Sequence, residues 1–234
     1  GEVLNAFFDY CNEAPDELWA SCLLGRAPGG DVFVSVGGDW MGEPGKGEAV
    51  LKTLGSFGRF QRERASTSNY VELQKSGDVA NRHGRFHYSK AGMLPETKGS
   101  PRQELVDAIV EPFLDMPLAG GRTLILMMGG AVNRVAADAT AYPHRTAMQN
   151  IDVGGSADTR EGAESYVKWG REYWKSIEPH TGGGFYINSL LDENERKVRG
   201  NFGQNLDRLV ALKTQYDPAN FFRLNANVKP KGMA

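Results

Sequence analysis

The sequence predicts an α+β fold in which a mainly antiparallel sheet has helices packed on one face. Three observations predict it: segments of alternating apolar and polar residues, segments of helical apolar spacing between them, and no strict strand-helix-strand rhythm. The chain has 234 residues, of which 40% are apolar, and this composition allows one large buried core. No internal repeat or domain linker is evident, so we expect a single packed unit.

The N-terminal part begins with a predicted helix and a β-hairpin. Residues 3–11 carry apolar side chains at helical spacing, and Pro15 ends that segment. Residues 18–24 and 32–36 alternate on either side of the turn at 28–30, which predicts two strands joined as a hairpin. Shorter elements then follow in the order helix 48–54, helix 68–75 and strand 84–94.

A capping box marks the start of the next predicted helix. Ser100 stands three residues before Gln103, and Pro101 occupies the first helical position between them. Apolar residues then recur at helical spacing. We therefore predict a helix over residues 100–113.

The following segment is predicted to form strands. Residues 123–128 and 131–135 would pair about a hinge at Gly129 and Gly130, and a further strand is predicted over residues 145–153. A helix over residues 161–177 comes next. Its four aromatic residues stand at helical spacing, which favours core packing over a stacking platform. They are Tyr166, Trp169, Tyr173 and Trp174.

The C-terminal part is predicted to contain one more strand and a broken helix. The strand covers residues 184–190. A second capping box at 192–195 then opens a helix that is interrupted near Gly203 and resumes until Asp217 and Pro218.

Charge and composition exclude several classes of partner. The 27 basic and 29 acidic residues are scattered and give a net charge of -2, so neither nucleic acid nor an anionic membrane is an expected partner. No apolar run approaches the ~20 residues that cross a bilayer, and the N-terminus lacks the pattern of a signal peptide. Cys11 and Cys22 form no metal-binding pattern. We therefore expect reduced structural thiols, no bound metal and a cytoplasmic location.

Local motifs do not by themselves reveal an activity. The glycines at 182–184 precede a predicted strand, whereas phosphate-binding loops follow a strand and open a helix. His83 and His87 flank a strand without a third metal ligand nearby. His144 and Arg145 would either hold an anion and exchange protons, or cap a strand start and pair with a carboxylate.

Five segments, in a fixed order along the chain, share the pattern of one known family. They are Tyr70-x-x-x-Gln74, the run at 84–94, Ala-Thr-Ala-Tyr-Pro-His-Arg at 139–145, Phe-Tyr-Ile-Asn at 185–188, and the pair of runs at 203–209 and 216–222. These segments resemble the berberine bridge enzyme-like FAD-linked oxidoreductases. The resemblance spans nearly the whole chain.

The resemblance implies the architecture of a larger protein. Members of the family have an N-terminal flavin-binding domain, a central substrate domain and a short C-terminal segment that returns to the flavin domain. By this resemblance, residues 1–183 are the substrate-binding domain, and residues 184–234 are the C-terminal segment packed into the same unit. The chain would then be a fragment that begins inside the substrate domain. The flavin-binding domain, which holds most of the FAD, would lie upstream of Gly1.

The resemblance also implies a function. The full-length protein would oxidise an alcohol, a sugar or a similar small organic substrate by hydride transfer to FAD, and this chain alone would be inactive. The cofactor would carry the redox chemistry, and this domain would orient the substrate and exclude water. The alternative is a non-catalytic binding module derived from the same domain.

The site residues are carried over from the resemblance position by position. Tyr186 and Asn188 match positions whose side chains approach the flavin from the substrate side. Asn225 and Asn227 fall where the end of the chain returns towards the cofactor. Ser189 stands where members that use a tyrosine as base carry it, so the catalytic base stays unassigned.

In the family's fold, one face of the strand at 145–153 lines the substrate pocket. Period-two alternation allows either Gln149 and Ile151 or Asn150 and Asp152 to face that pocket. The alignment favours Gln149, but a slip of one residue exchanges the two faces. Gln149 and Asn150 are therefore both candidate substrate contacts.

Overall fold

The secondary structure is described for residues 1–59, 65–79, 81–116, 120–189, 195–224 and 226–233 in a computed structural model. Five strands lie within these ranges: β1 Leu18–Arg26, β2 Val32–Trp40, β3 Phe86–Pro95, β4 Gly121–Met127 and β5 Ala147–Ala157. The described ranges also contain seven α-helices: α1 Glu2–Glu13, α2 Pro44–Leu54, α3 Tyr70–Lys75, α4 Gly99–Leu114, α5 Arg160–Ile177, α6 Glu195–Asn201 and α7 Leu206–Tyr216.

The five strands form one sheet in the order β2-β1-β4-β5-β3. Every pairing in it is antiparallel, including the β1-β2 hairpin that the sequence predicts. The α+β fold with an antiparallel sheet is thereby confirmed. β5 lies between β4 and β3, so its side chains have neighbours on both sides.

Helices cover one face of the sheet and build the core against it. Ile125 of β4 and Ile151 of β5 are fully buried, and they meet Phe7 of α1, Phe113 of α4 and Ile177 of α5 in a single cluster. Burying a side chain of this size contributes roughly 1.5–3 kcal/mol. The cluster therefore fixes α1, α4 and α5 on the same face, as the sequence predicts.

Tyr173 joins three elements inside this core. Its hydroxyl donates a 2.7 Å hydrogen bond to the carbonyl of Ile109 in α4 and lies 3.0 Å from Oγ1 of Thr123 in β4. Burial raises the pKa of the Tyr173 phenol, so the hydroxyl stays protonated. The aromatic residues of α5 are thus core residues, as their spacing predicts: Tyr166, Tyr173 and Trp174 are buried and Trp169 packs against the cluster.

The predicted strand at 131–135 is wrong. Gly129 and Gly130 have φ values of 101° and 57°, and these left-handed positions turn the chain into a 3-10 turn at Gly130–Val132. β4 already pairs with β1 on one side and with β5 on the other, so no edge is free for a hairpin partner.

The predicted strand at 184–190 is also wrong over residues 184–189, which are the part of it that the structure describes. Only Gly184 meets β3, where its carbonyl accepts from the Met93 amide at 2.8 Å. The Phe185 amide instead donates to the Oδ1 atom of Asn201 at 2.8 Å. The chain then closes a 3-10 turn at Ile187–Ser189. A tertiary contact has replaced the strand ladder that the β-favouring residues predict.

The capping box predicted at Ser100 does not form. α4 begins one residue earlier, at Gly99 with φ 62°, and its N-cap is Lys98 without a side-chain cap. Arg102 occupies the buried side of this turn and donates to Oδ1 of Asp9 at 3.0 Å. The second predicted capping box, at 192–195, lies largely outside the described residues.

Two further observations concern the chain as a whole. None of the helices in the described ranges combines the length and apolar character that crossing a membrane requires. Cys11 and Cys22 are buried free thiols, and burial raises the pKa of each to about 12. Thiols with such pKa values are unreactive at neutral pH.

Candidate functional site

The sheet face opposite α1, α4 and α5 carries the candidate site, and we call it the open face. Strand register defines its members, because directly paired residues point to the same side. The open face at the centre of the sheet comprises Leu23 of β1, Arg122, Leu124 and Leu126 of β4, Asn150 and Asp152 of β5, and Ser89, Ala91 and Met93 of β3.

The register of β5 decides between the two alternatives that its sequence leaves open. Ile151 and Val153 are fully buried in the helix-covered core, so Gln149 shares their face. There the Gln149 side chain lies near the Cys11 thiol of α1 and lowers its pKa, against the larger effect of burial. Asn150 and Asp152 therefore point to the open face, and Gln149, which the alignment favours, does not.

Asp152 is a buried carboxylate at the centre of the open face. Its residue is 8% exposed, and Oγ of Ser89 donates a hydrogen bond to Oδ2. Oδ1 has no hydrogen-bond partner among the described residues and lies 3.8 Å from Nη2 of Arg122. Burial raises the pKa of Asp152, against the opposing effects of Ser89 and Arg122. Asp152 thus has one buried oxygen that lacks a hydrogen-bond donor among the described residues.

Asn150 is the second polar residue buried on this face. It is 2% exposed and lies directly between Met93 of β3 and Leu126 of β4. Its Oδ1 atom also has no hydrogen-bond partner in the described part of the chain. A buried acceptor without a donor costs roughly 1–3 kcal/mol, so Asn150 and Asp152 each carry one unsatisfied acceptor on this side of β5.

Tyr186 and Asn188, which the resemblance assigns to the flavin, border the same end of the open face. Nδ2 of Asn188 donates to the Tyr186 hydroxyl at 2.7 Å. Burial is the main cause of the raised pKa of Tyr142, and the interaction with Tyr186 also raises it. The Tyr142 hydroxyl in turn contacts Sδ of Met93 at 3.9 Å. Met93 pairs with Asn150, so these aromatic and amide groups converge on one rim.

His144 and Arg145 build the loop that carries Tyr142. Nε2 of His144 lies 2.8 Å from Oδ1 of Asn201, the same atom that accepts from the Phe185 amide. The Arg145 guanidinium donates to the carbonyl of Val132 at 3.0 Å and lies 4.8 Å from the centre of the Tyr142 ring. The partners of both residues are an amide, loop oxygens and an aromatic ring rather than the predicted carboxylate.

The C-terminal segment is hydrogen-bonded to this loop. Nδ2 of Asn205 donates to the carbonyls of Ala137 at 2.7 Å and Thr140 at 3.0 Å. Arg208 donates to the carbonyl of Asp138 at 3.1 Å. Residues of both ranges, 1–183 and 184–234, therefore hold the rim of the open face in place.

The remaining predicted residues are less closely tied to the rim. The Ser189 amide donates to the Tyr186 carbonyl at 2.9 Å, which closes the 3-10 turn. Asn225 lies outside the described residues. Asn227 is half-buried, and its Oδ1 atom has no hydrogen-bond partner in the described ranges.

The sequence analysis assigned no role to Arg122 of the open face or to Tyr142 of its rim. Asp152 appeared there only as part of one register alternative. The signal for that alternative was present in β5, because Ala147, Ile151 and Val153 are apolar while Asn150 and Asp152 between them are polar. Such alternation places the polar set away from the core. Arg122 carries no comparable signal in the sequence.

Comparisons with known proteins place this architecture among flavin-linked proteins. The family described as berberine and berberine like matches residues 186–229. An FAD-linked oxidoreductase of Dictyostelium discoideum is 25% identical over 232 residues, which is 98% of this chain and 49% of that protein. An uncharacterized FAD-linked oxidoreductase of Bacillus subtilis, YgaK, is 32% identical over 194 residues, covering 82% of this chain and 42% of the relative.

A solved structure shares the fold. The berberine bridge enzyme-like protein 28 of Arabidopsis thaliana superposes with a TM-score of 0.78 at 18% identity, over 97% of this chain and 53% of that one. This chain thus spans about half the length of the curated relatives and of the solved structure that it matches.

Proposed function

We propose, from the premise that this chain belongs to the berberine bridge enzyme-like family of FAD-linked oxidoreductases, that it covers the substrate in an enzyme oxidising small organic molecules. The substrate would be an alcohol, a sugar or a similar compound. One observation carries the proposal: Asp152 is a buried carboxylate, on the sheet face opposite the helices, with an oxygen that has no hydrogen-bond donor among the described residues.

The residues of the open face fit a partly polar substrate held against the flat ring system of FAD. Oδ1 of Asn150 and Oδ1 of Asp152 are buried acceptors without donors among the described residues. Leu124, Leu126 and Ala91 are half-buried on the same face and offer apolar surface. When bound, FAD supplies a two-electron acceptor that takes a hydride from the substrate carbon.

Asp152 would accept the proton from the substrate hydroxyl at its Oδ1 atom. Burial raises the pKa of this carboxyl towards the working pH, which makes it a more effective base than an exposed aspartate. The Ser89 hydroxyl holds Oδ2 and so fixes the direction of Oδ1. Asp152 would thus be the catalytic base, which the sequence analysis left unassigned.

The other site residues would bind and orient. Asn150 replaces Gln149 as the proposed substrate contact, because Gln149 faces the core. Tyr186 and Asn188 would contact the flavin together, with Asn225 and Asn227 in the closing segment. The hydrogen bonds of Asn201 and Asn205 to the loop before β5 support packing of residues 184–234 with the domain at 1–183.

The experiment is the substitution Asp152→Asn in a protein that carries this chain together with the sequence preceding it in its gene. We expect FAD to bind as in the wild type, and flavin reduction in anaerobic rapid mixing to slow by about 10²–10⁴-fold. Asp78→Asn, at an exposed position after α3, is the matched control. Wild-type flavin reduction by Asp152→Asn would assign the base elsewhere.

Titration with FAD tests the share of the cofactor site that this chain contains. Because most of the FAD contacts would lie in the flavin-binding domain, the isolated chain should be colourless and bind FAD with a dissociation constant well above ~1 μM. Absence of bound FAD from the extended protein would instead favour the non-catalytic binding module.

A further inference from the structure

We propose that Arg122 binds the carboxylate of the substrate, and that the substrate class is therefore a 2-hydroxy acid. This inference rests on the proposed function and narrows its substrate. The inference depends on the residues around Arg122 on the open face. It also depends on two atoms without hydrogen-bond partners among the described residues, Nε of Arg122 and Oδ1 of Asp152.

Arg122 is flanked by two glycines on the open face. Its directly paired neighbours are Gly25 in β1 and Gly154 in β5, and neither has a side chain. The Arg122 side chain is 42% exposed, so the guanidinium reaches the surface of the face. The ring of Phe33 fills the space above Gly25 and forms an apolar wall on that side. The backbone of Tyr88 occupies the space above Gly154 in the same way, so a ligand group would meet the exposed part of the guanidinium.

The pairing of Arg122 with Asp152 is open. Nη2 of Arg122 lies 3.8 Å from Oδ1 of Asp152, which is beyond hydrogen-bond distance. Nε of Arg122 is buried without a hydrogen-bond partner among the described residues, as is Oδ1 of Asp152. Elsewhere in this chain, both terminal nitrogens of Arg134 donate to the two oxygens of Asp16 in a closed fork.

A donor and an acceptor on adjacent atoms of one ligand would complete both groups. A hydroxyl can donate to Oδ1 of Asp152, and a carboxylate on the next carbon can accept from the Arg122 guanidinium, which favours carboxylates as partners. A neutral alcohol would leave Nε of Arg122 without an acceptor. An amine cation would be repelled by Arg122. The 2-hydroxy acid satisfies the two residues together.

The reaction balances with oxidised flavin as the two-electron acceptor. The O–H bond breaks and its proton passes to Oδ1 of Asp152. The C2–H bond breaks with its electron pair, which leaves as a hydride to the oxidised flavin, and a C=O bond forms. The product is a 2-oxo acid whose carboxylate still faces Arg122, and Asp152 returns its proton to solvent.

The test compares mandelate with mandelamide, which differ in the carboxylate alone, by saturation-transfer NMR on the 234-residue chain. We expect mandelate to bind more tightly, and Arg122→Gln to weaken mandelate binding at least tenfold while leaving mandelamide unchanged. Arg122→Lys should retain part of the preference. Arg82→Gln, an exposed arginine paired with Asp158, is the matched control.

The Asp152→Asn variant tests whether Arg122 binds the ligand or serves only as the structural partner of Asp152. Removing the carboxylate charge should strengthen mandelate binding, because the ligand then no longer meets a neighbouring anion. Equal mandelate binding by Arg122→Gln and wild type would overturn this inference and leave the proposed function intact. Failure of the extended protein to reduce flavin with any substrate would overturn the proposed function and leave the binding result standing.

Discussion

Nδ2 of Asn188 donates a 2.7 Å hydrogen bond to the hydroxyl of Tyr186 across a 3-10 turn. The contact joins directly the two side chains that the resemblance assigns to the flavin. Tyr186 is 43% exposed, so its ring is available to a molecule lying against this rim. The Tyr186 and Asn188 side chains thus orient each other without the help of a strand.

The first prediction concerns this pair in the extended protein. Tyr186→Phe and Asn188→Ala should each slow flavin reduction in rapid mixing, because each loses the bond that orients its neighbour. The loss in unfolding free energy should be only about 0.5 kcal/mol, since both positions are exposed. Tyr70→Phe, an exposed tyrosine of α3, serves as control. Wild-type rates in both variants would mean that the pair is only structural.

The resemblance led to this pair, whereas the strand predicted at 184–190 does not exist in the structure. In that strand Tyr186 and Asn188 would share a face, because residues two apart point to the same side. In the structure the Phe185 amide is taken by Asn201, sixteen residues further on, and the chain turns instead. A contact between segments distant in sequence leaves no local pattern, so its effect on this stretch was not predictable.

The second prediction concerns the pH dependence of stability at Asp152. Burial raises the pKa of its carboxyl in the folded protein, so folding favours the protonated form. The stability from this group is fully present below the ordinary pKa of about 4 and is lost as pH rises through the folded value. Asp152→Asn should therefore raise the melting temperature at pH 7, and the gain should shrink towards pH 4.

Thermal unfolding of both proteins across this pH range measures the effect, with Asp78→Asn as an exposed control. A melting temperature lowered by Asp152→Asn at pH 7 would mean that the hydrogen bond from Ser89 and the charge of Arg122 outweigh burial. Folding would then lower the pKa of the Asp152 carboxyl instead of raising it.

Periodic elements of the fold were predictable from the sequence, and elements governed by turns were not. α5 has apolar and aromatic residues at helical spacing over five turns, and β1 alternates between buried and more exposed positions from Leu18 to Leu24. The strand predicted at 131–135 failed because pairing of β4 with β1 and β5 depends on the whole sheet. Local alternation of apolar and polar residues does not indicate which strand edges already have a partner.

The third prediction concerns Tyr173 in the core. Tyr173→Phe removes the hydroxyl that donates to the Ile109 carbonyl and meets Thr123, and it leaves both partners buried. We expect the free energy of unfolding to fall by about 1–3 kcal/mol in urea denaturation. Thr123→Val, which leaves the bond to Ile109 in place, should cost less. A Tyr173→Phe loss under about 0.5 kcal/mol would show that the carbonyl finds another donor.

The fourth prediction tests whether the C-terminal segment holds the loop that carries Tyr142. Asn205 is 4% exposed and its amide donates to two loop carbonyls, so Asn205→Ala leaves both acceptors without their donor. We expect a loss of about 2 kcal/mol in unfolding free energy and faster tryptic cleavage after Arg134 or Arg145. Arg208→Ala removes one exposed hydrogen bond to the same loop and should change stability by no more than about 0.5 kcal/mol. Equal cleavage rates in Asn205→Ala and wild type would mean that the Arg145 contacts keep the loop in place without the hydrogen bonds of Asn205.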